Sequence, residues 1–170
     1  MAVVTGALLD TSVLLAGLIE LSRTPDPAQQ VLAAVAAGRL SRPLTAWHCC
    51  LEFYAVATRL PEEFRLAPAD ALKLLEEELL ARFQILDLPG RQRVPLLQQG
   101  AHEGITGGRL YDAHIAETAR AAGASLVVTE NRRHFSSLLR HGIRVLTAAE
   151  LVQELGTRQS GRRRMASRVL

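Results

Sequence analysis

Short apolar runs alternate along the chain with longer stretches in which apolar residues recur at helical spacing. The short runs are rich in Val, Ile and Leu and predict strands over residues 3–10, 40–44, 83–88, 125–129 and 143–146. The longer stretches predict helices over residues 13–21, 28–37, 45–59, 68–82, 91–103, 110–122, 132–140 and 148–155. Alternating strands and helices are typical of a parallel sheet covered on both faces. The pattern therefore predicts a single three-layer α/β/α domain with a central parallel sheet.

Two local features sharpen this prediction. Asp26 is a good helix N-cap and Pro27 suits the first position of the helix that follows. The predicted helix over residues 68–82 is strongly amphipathic, with Leu72, Leu75 and Leu79 expected on its buried face.

Charge is distributed unevenly over the 170 residues, which carry 20 basic and 17 acidic side chains. Five of the arginines fall within residues 157–170, where there is no acid. Without them, 15 basic residues face 17 acidic ones, so the body of the chain is slightly acidic. We therefore predict a domain over residues 1–156 and a basic, disordered tail over residues 157–170. The basic pI by itself is poor support for nucleic-acid binding.

Cysteine and hydropathy patterns favour a reducing compartment and no membrane span. Cys49 and Cys50 are the only cysteines, and neighbours on a helix point in different directions, so no ordinary disulfide is expected. Zinc-ligand spacing is also absent. The apolar run at the start is interrupted by Asp10, and no run reaches the roughly 18 residues that span a bilayer. These features predict a cytoplasmic location.

Carboxylates fall where the predicted strands and helices meet. Asp10 ends the first strand, Asp112 lies in the first turn of a helix, and Glu52 lies on a helix among apolar neighbours. In open parallel sheets, ligands bind at the carboxyl ends of the strands. Converging carboxylates repel one another unless a cation lies between them, and Mg²⁺ prefers such oxygen ligands. Helix capping is an equal alternative for Asp10 and Asp112 taken singly.

Three sequence blocks together resemble the PIN-domain family, and most closely its VapC-type ribonuclease toxins. The first is Leu-Leu-Asp-Thr-Ser-Val-Leu at residues 8–14, and the second is Leu-Glu-Phe-Tyr-Ala-Val at residues 51–56. The third is Leu-Tyr-Asp-Ala-His-Ile-Ala at residues 110–116, followed by a strand that ends in Thr129. The resemblance covers roughly residues 8–155 and rests on the order and separation of the blocks.

The resemblance implies a Mg²⁺- or Mn²⁺-dependent endoribonuclease, the toxin of a type II toxin–antitoxin pair. By this resemblance the catalytic, metal-binding residues are Asp10, Glu52 and Asp112. Supporting residues at the edge of the site are Thr11, Ser12, Thr129 and Asn131. The implied partners are an RNA substrate, a cognate antitoxin and a second copy of the chain.

The chain departs from the family pattern at the fourth acid. Many members have an acid where this chain has Asn131, or just before the Phe, where it has His134. Glu130 is adjacent but is expected to face solvent or cap a helix. We therefore predict a one-metal enzyme that recruits a second ion only with RNA. None of the five histidines shows metal-ligand spacing.

RNA binding near the acids needs cations, and Arg109, Arg132 and Arg133 flank the predicted site. They are predicted to bind phosphates, with solvated charges at helix ends as the alternative. The helical region over residues 68–82 is predicted to dock the antitoxin. Trp47 and Tyr54 are interpreted as packing residues, with partner contact as the alternative for Tyr54.

A different class of function also fits the missing fourth acid. A degenerate PIN domain could bind RNA or protein without cleaving, although such a module has no use for a repulsive acid cluster. A haloacid-dehalogenase-type phosphatase needs a second Asp two residues after the first, and Ser12 stands there. No glycine-rich phosphate loop is present.

Overall fold

A five-stranded parallel sheet forms the centre of the molecule in the computed structural model, which describes residues 4–21 and 24–166. The strands of the chain are β1 (Val4–Thr5), β2 (Ala7–Leu9), β3 (Leu40–Ser41), β4 (Leu44–Ala46), β5 (Gln84–Leu86), β6 (Leu126–Val128) and β7 (Arg144–Leu146). The spatial order of the central sheet is β5-β4-β2-β6-β7, while β1 and β3 form a separate parallel pair. Every residue of β2, β4 and β6 is buried, as expected for strands covered on both faces.

Helices flank the sheet. They are α1 (Thr11–Leu18), α2 (Pro27–Ala36), α3 (Trp47–Ala57), α4 (Pro68–Leu74), α5 (Gly90–His102), α6 (Arg109–Ala121) and α7 (Ala148–Ala166). A π-helical segment (Leu75–Leu80) continues α4, and a 3₁₀ helix (Arg132–His141) joins β6 to β7. α2 packs against α1 and α7, and α6 packs against α5 and the 3₁₀ helix. The predicted three-layer α/β/α fold is confirmed.

The direction of chain progression across the sheet reverses at β2. From β2 the chain crosses to β4 and β5 on one side, and later returns to β6 and β7 on the other. Leu9 pairs with Val128, so the carboxyl ends of β2 and β6 lie side by side. The residues that follow these strands, Asp10 and Thr129, therefore meet at the place where such sheets bind ligands.

The predicted first strand, residues 3–10, is interrupted within its described part. Gly6 has a positive φ of 69°, a conformation that favours glycine, and it separates β1 from β2. Thr45, predicted to start a helix, instead lies in β4, where it pairs with Ile85 of β5 and its hydroxyl donates to the carbonyl of Leu9 at 2.9 Å. The predicted cap at Asp26 is confirmed, since its side chain accepts from the amide of Ala28 at 2.8 Å.

The predicted buried face of the helix over residues 68–82 is wrong at one position. Leu75 and Leu79 are buried, but Leu72 is 49% exposed. The buried positions are Ala71, Leu75 and Leu79, which recur every four residues, and Leu72 lies one position off this stripe.

Two further expectations concern the surface and the end of the chain. Trp47 and Tyr54, interpreted as packing residues, are 43% and 37% exposed. The last helix, predicted to end near Leu155, continues to Ala166. The backbone of residues 157–166 is therefore helical where the sequence predicted disorder, and a boundary after residue 156 stays a prediction. In the part of the chain that the structure describes, no helix combines the length and apolarity needed to cross a membrane.

Candidate metal centre

Asp10 is a buried carboxylate held by hydroxyl groups. It directly follows β2 and is only 3% exposed. It occupies the N-cap position of α1, but its side chain makes no capping hydrogen bond. Its Oδ2 atom instead accepts hydrogen bonds from Thr129 Oγ1 at 2.8 Å and Ser12 Oγ at 3.0 Å. The side chain of Asp10 therefore does not cap α1, which rules out the alternative interpretation of this residue as a helix cap.

The surroundings of Asp10 favour a cation beside it. Burial raises its pKa above the ordinary value, hydrogen bonds from Thr129 and Ser12 oppose that rise, and the nearby charge of Asp112 adds to it. No Lys, Arg or His side chain among the described residues forms an ion pair with it. A buried charge without an opposite charge is costly, and a bound cation would remove this cost.

Glu52 is joined to the same place through Thr11. It lies half-buried on α3, and its Oε2 atom accepts a hydrogen bond from Thr11 Oγ1 at 2.6 Å. Because Thr11 directly follows Asp10, this bond fixes Glu52 relative to Asp10.

Asp112 lies in the first turn of α6, where it pairs with a histidine. Its Oδ2 atom lies 2.6 Å from Nδ1 of His134, and both side chains are about one-fifth exposed. A carboxylate can only accept, so with Asp112 ionised the proton resides on Nδ1, which donates. The structure thus adds His134 to the site. The only signal in the sequence was its position just before Phe135, where family members often carry an acid.

The predicted supporting residues lie around Asp10. Thr129 is fully buried, and its hydroxyl accepts from the backbone amide of Asn131 at 3.0 Å while donating to Asp10. Ser12 similarly accepts from the amide of Glu130 at 3.2 Å. The Glu130 side chain is directed elsewhere, since its Oε1 accepts from the amide of Ala148 at the start of α7. The residue is exposed and caps α7, so it does not replace the missing fourth acid.

The side chains around Asp10 offer carboxylate and hydroxyl oxygens, which are the kind of ligand that hard divalent cations such as Mg²⁺ prefer. The structure brings Asp10 and Asp112 within electrostatic reach of each other and joins Glu52 to Asp10 through Thr11. Over residues 4–21 and 24–166, however, no three His, Cys, Asp or Glu side chains are grouped closely enough to hold a metal ion. The ligand roles of Asp10, Glu52 and Asp112 therefore stay a prediction.

The three arginines predicted to bind RNA separate into two groups. Arg132 forms an exposed ion pair with Glu150 at 2.7 Å. Arg109 and Arg133 instead line a cleft of about 450 Å³ between α5, α6 and the 3₁₀ helix. Arg140 and His141 line the same cleft and were not singled out from the sequence, because they lie far along the chain from Arg109.

Fold and site together define an α/β protein with an acidic site at the reversal point of a parallel sheet. The family model of the PIN domain matches residues 6–133 of the chain. The chain belongs to the PIN-domain family.

Curated relatives agree with this assignment. Ribonuclease VapC27 of Mycobacterium tuberculosis (strain ATCC 25618 / H37Rv) is 39% identical over 102 residues, 60% of this chain and 72% of the relative. Ribonuclease VapC40 of the same strain is 35% identical over 123 residues, 72% of this chain and 85% of the relative.

Solved structures share the fold. PAE2754 from Pyrobaculum aerophilum has a TM-score of 0.59 and 21% identity, and the match covers 92% of each chain. DNA-bound VapBC from Salmonella typhimurium has a TM-score of 0.58 and 22% identity, covering 85% of this chain and 98% of the other. At these identities the likeness concerns the fold alone.

Proposed function

We propose that the chain is an endoribonuclease that hydrolyses RNA phosphodiester bonds at the site around Asp10, Glu52 and Asp112. The observation that carries the proposal is the buried Asp10 carboxylate, which lies near Asp112 at the reversal point of the sheet and has no cationic partner among the side chains that the structure describes. The curated relatives VapC27 and VapC40 are named ribonucleases, and they support the same activity.

Mg²⁺ or Mn²⁺ is the cofactor we propose, with Asp10, Glu52 and Asp112 as its ligands. When bound, such an ion activates water and offsets charge on the phosphorus oxygens in the transition state. The chain's own contribution is to position the carboxylates. Thr129 and Ser12 fix Asp10, Thr11 fixes Glu52, and His134 fixes Asp112 by holding a proton at Nδ1.

A single resident ion suits this set of acids. Asn131 stands where many family members have a fourth carboxylate, and Glu130 caps α7. Calorimetric titration of the free protein with Mn²⁺ should give one binding event, whereas two tight sites would contradict the one-metal proposal.

Cleavage of labelled RNA tests the activity. The purified chain, free of any bound antitoxin, is incubated with a panel of structured RNAs in Mn²⁺, in EDTA, and as the Asp112→Asn variant. We expect cleavage in Mn²⁺ that EDTA abolishes and that the variant lacks. Absence of cleavage over the whole panel, with metal binding intact, would contradict the proposal.

A non-cleaving binding module is the second candidate. One observation favours it: in the described part of the chain the acids are engaged by neighbouring side chains and form no group of three around a common point. Under this alternative, RNA binds equally well with and without Mn²⁺ and is recovered intact.

Three structural neighbours support a protein partner, because they are VapBC toxin–antitoxin complexes: VapBC2 from Rickettsia felis, VapBC from Salmonella typhimurium and VapBC-1 from nontypeable Haemophilus influenzae. We propose that this chain is the toxin of such a pair and acts in the cytoplasm. Exposed apolar side chains offer a docking surface across α3 and residues 68–82: Trp47, Leu51, Tyr54, Leu72 and Leu80. The first three recur at positions i, i+4 and i+7, so they share one face of α3.

We also propose that two copies of the chain associate, and that residues 157–170 act as a separable basic tail of the domain over residues 1–156. Light scattering on the full chain and on a chain ending at residue 156 tests both points. Two copies per particle in each case would support them, whereas a monomeric full chain would contradict the dimer. Loss of folding on truncation would contradict a separable tail.

A further inference from the structure

A cleft separate from the carboxylates lies between α5, α6 and the 3₁₀ helix. Its volume of about 450 Å³ falls within the range of small-ligand sites, roughly 300–1,000 Å³. Apolar side chains from all three helices form part of its lining, including Leu96, Ala116 and Leu138. Four arginines and two glutamates also line it, so its net charge is +2 with the histidines neutral.

Three of the four arginines are available to a ligand. Arg120 is engaged by Glu117 on its own helix. Arg109, Arg133 and Arg140 are exposed, and none has a carboxylate partner within the part of the chain that the structure describes. Glu117 is taken up by Arg120, which leaves one carboxylate, that of Glu103, beside these three guanidinium groups. The excess of positive charge favours a bound anion. Phosphate is the anion whose geometry arginine matches best.

The cleft is one hydrogen bond away from the acidic site. His134 lines the cleft, and its Nδ1 atom lies 2.6 Å from Asp112 Oδ2. Ala113, the residue after Asp112, also lines it. The cleft therefore adjoins the carboxylates, and a chain of phosphodiesters that passes them can continue into it.

We infer that this cleft binds a backbone phosphate of single-stranded RNA next to the bond that is cut, through Arg109, Arg133 and Arg140. The inference rests on the proposed function and adds to it the path of the substrate. A volume of about 450 Å³ is too small to admit a duplex, so the nucleotide bound there is unpaired. Because guanidinium groups outnumber carboxylates in the cleft, and the rings among its described lining residues are the imidazoles of His134 and His141, it binds phosphate rather than reading base sequence.

Arg132, which was predicted to bind RNA phosphates, lies outside this cleft. Its guanidinium group pairs with Glu150 outside the cleft, while its neighbour Arg133 lines the cleft. Arg140 takes the phosphate-binding role that was predicted for Arg132.

Salt-dependent RNA binding tests the cleft. Fluorescence anisotropy of a labelled single-stranded oligoribonucleotide is measured with the full chain in EDTA, between about 50 and 200 mM KCl. Each phosphate contact on a single strand contributes about 0.7 to the slope of log affinity against log salt. The Arg133→Ala/Arg140→Ala variant should therefore lose about 1.4 of slope, so its loss of affinity relative to the parent should be about sevenfold larger at 50 mM than at 200 mM KCl. Arg133→Lys/Arg140→Lys should keep most of the slope, since it keeps the charge.

The matched control removes the same charge elsewhere. Arg59 and Arg82 are exposed, one after the end of α3 and one just before β5, and both lie outside the cleft. Arg59→Ala/Arg82→Ala should bind with the slope of the parent chain. Equal slopes for the cleft and control variants would overturn the inference, as would equally cleft-dependent binding of the same oligonucleotide annealed into a duplex.

Cleavage in Mn²⁺ separates this inference from the proposed function. If the parent chain cuts RNA and the cleft variant binds and cuts like the parent, the cleft assignment is wrong while the nuclease stands. If RNA binding depends on the cleft but the parent never cuts, the nuclease is wrong while the cleft stands.

Discussion

Replacing Thr129 with Val removes the hydroxyl that holds Asp10 while leaving the shape of the side chain nearly unchanged. Thr129 is fully buried, its Oγ1 donates to Asp10 Oδ2 at 2.8 Å, and it accepts from the amide of Asn131 at 3.0 Å. A hydrogen bond to a charged group contributes about 1.5–3 kcal/mol, and the amide also loses its acceptor. We expect the free energy of unfolding in EDTA to fall by about 2 kcal/mol. For a chain of this size that lowers Tm by about 4–8 °C.

Thr118→Val is the matched control. Thr118 is 1% exposed, and its hydroxyl donates to the carbonyl of His114 at 2.8 Å within α6. That carbonyl belongs to the helix ladder, and such bonds back to the preceding turn add little to stability. Urea unfolding of both variants and the parent at pH 7.5 should therefore show a loss below about 1 kcal/mol for Thr118→Val. Equal losses for the two variants, or none for Thr129→Val, would refute the idea that Thr129 stabilises a buried charge.

Four further predictions concern Asp10, the bound metal, the two cysteines and Gly17. Asp10→Asn should unfold at a higher temperature than the parent in EDTA at pH 8, because burial raises the pKa of Asp10 in the folded state and makes its charged form costly. The difference in Tm should disappear as the pH falls towards 3.8, where Asp10 becomes protonated in both the folded and the unfolded chain. A variant less stable than the parent at pH 8 would contradict this prediction. Mn²⁺ at about a hundred times its Kd should stabilise the parent by about 2.7 kcal/mol and leave Asp10→Asn unchanged. Burial raises the pKa of Cys49 to about 12 and that of Cys50 to about 11. Neither thiol should therefore react rapidly with a disulfide reagent at pH 8 until the chain is unfolded. A thiol that reacts rapidly in the folded protein would contradict this prediction. Gly17→Ala should destabilise the protein by about 1–3 kcal/mol in urea unfolding, because a Cβ there would lie 2.7 Å from Leu32 Cδ1 and 3.0 Å from the backbone oxygen of Ala28. An unchanged midpoint would mean that the Leu32 side chain moves aside without cost.

The periodicity of the sequence was enough to predict the layers of the fold, because buried strands and amphipathic helices leave different patterns. The periodicity was less successful at the boundaries of strands and helices, where the conformation of a single residue decides which element it joins. Gly6 breaks the first predicted strand through a positive φ, and Thr45 lies in β4, whose backbone pairs with β2 and β5. Both depend on the backbone of another strand, which the local pattern does not contain.

In the candidate site, too, some features could be predicted from the sequence and others depend on how distant elements pack. Asp10 could be predicted because a carboxylate at the end of an apolar strand is rare unless it is needed, and its contacts with Thr129 and Ser12 follow from the pairing of β2 with β6. The contact of His134 with Asp112 could not, because it depends on how the 3₁₀ helix packs against α6. The basic cleft has the same origin, since Arg109 and Arg140 come together only through that packing.

The rate of RNA cleavage by Asp10→Asn under single-turnover conditions tests the central claim most directly. Asp70→Asn serves as the control, because Asp70 is an exposed acid in the first turn of α4. We expect the parent and Asp70→Asn to cut single-stranded RNA at rates within about twofold of each other in Mn²⁺, and neither to cut in EDTA. We expect Asp10→Asn to be slower by about a hundredfold or more, as for loss of a metal ligand. Cleavage by Asp10→Asn at the rate of the parent would contradict the central claim.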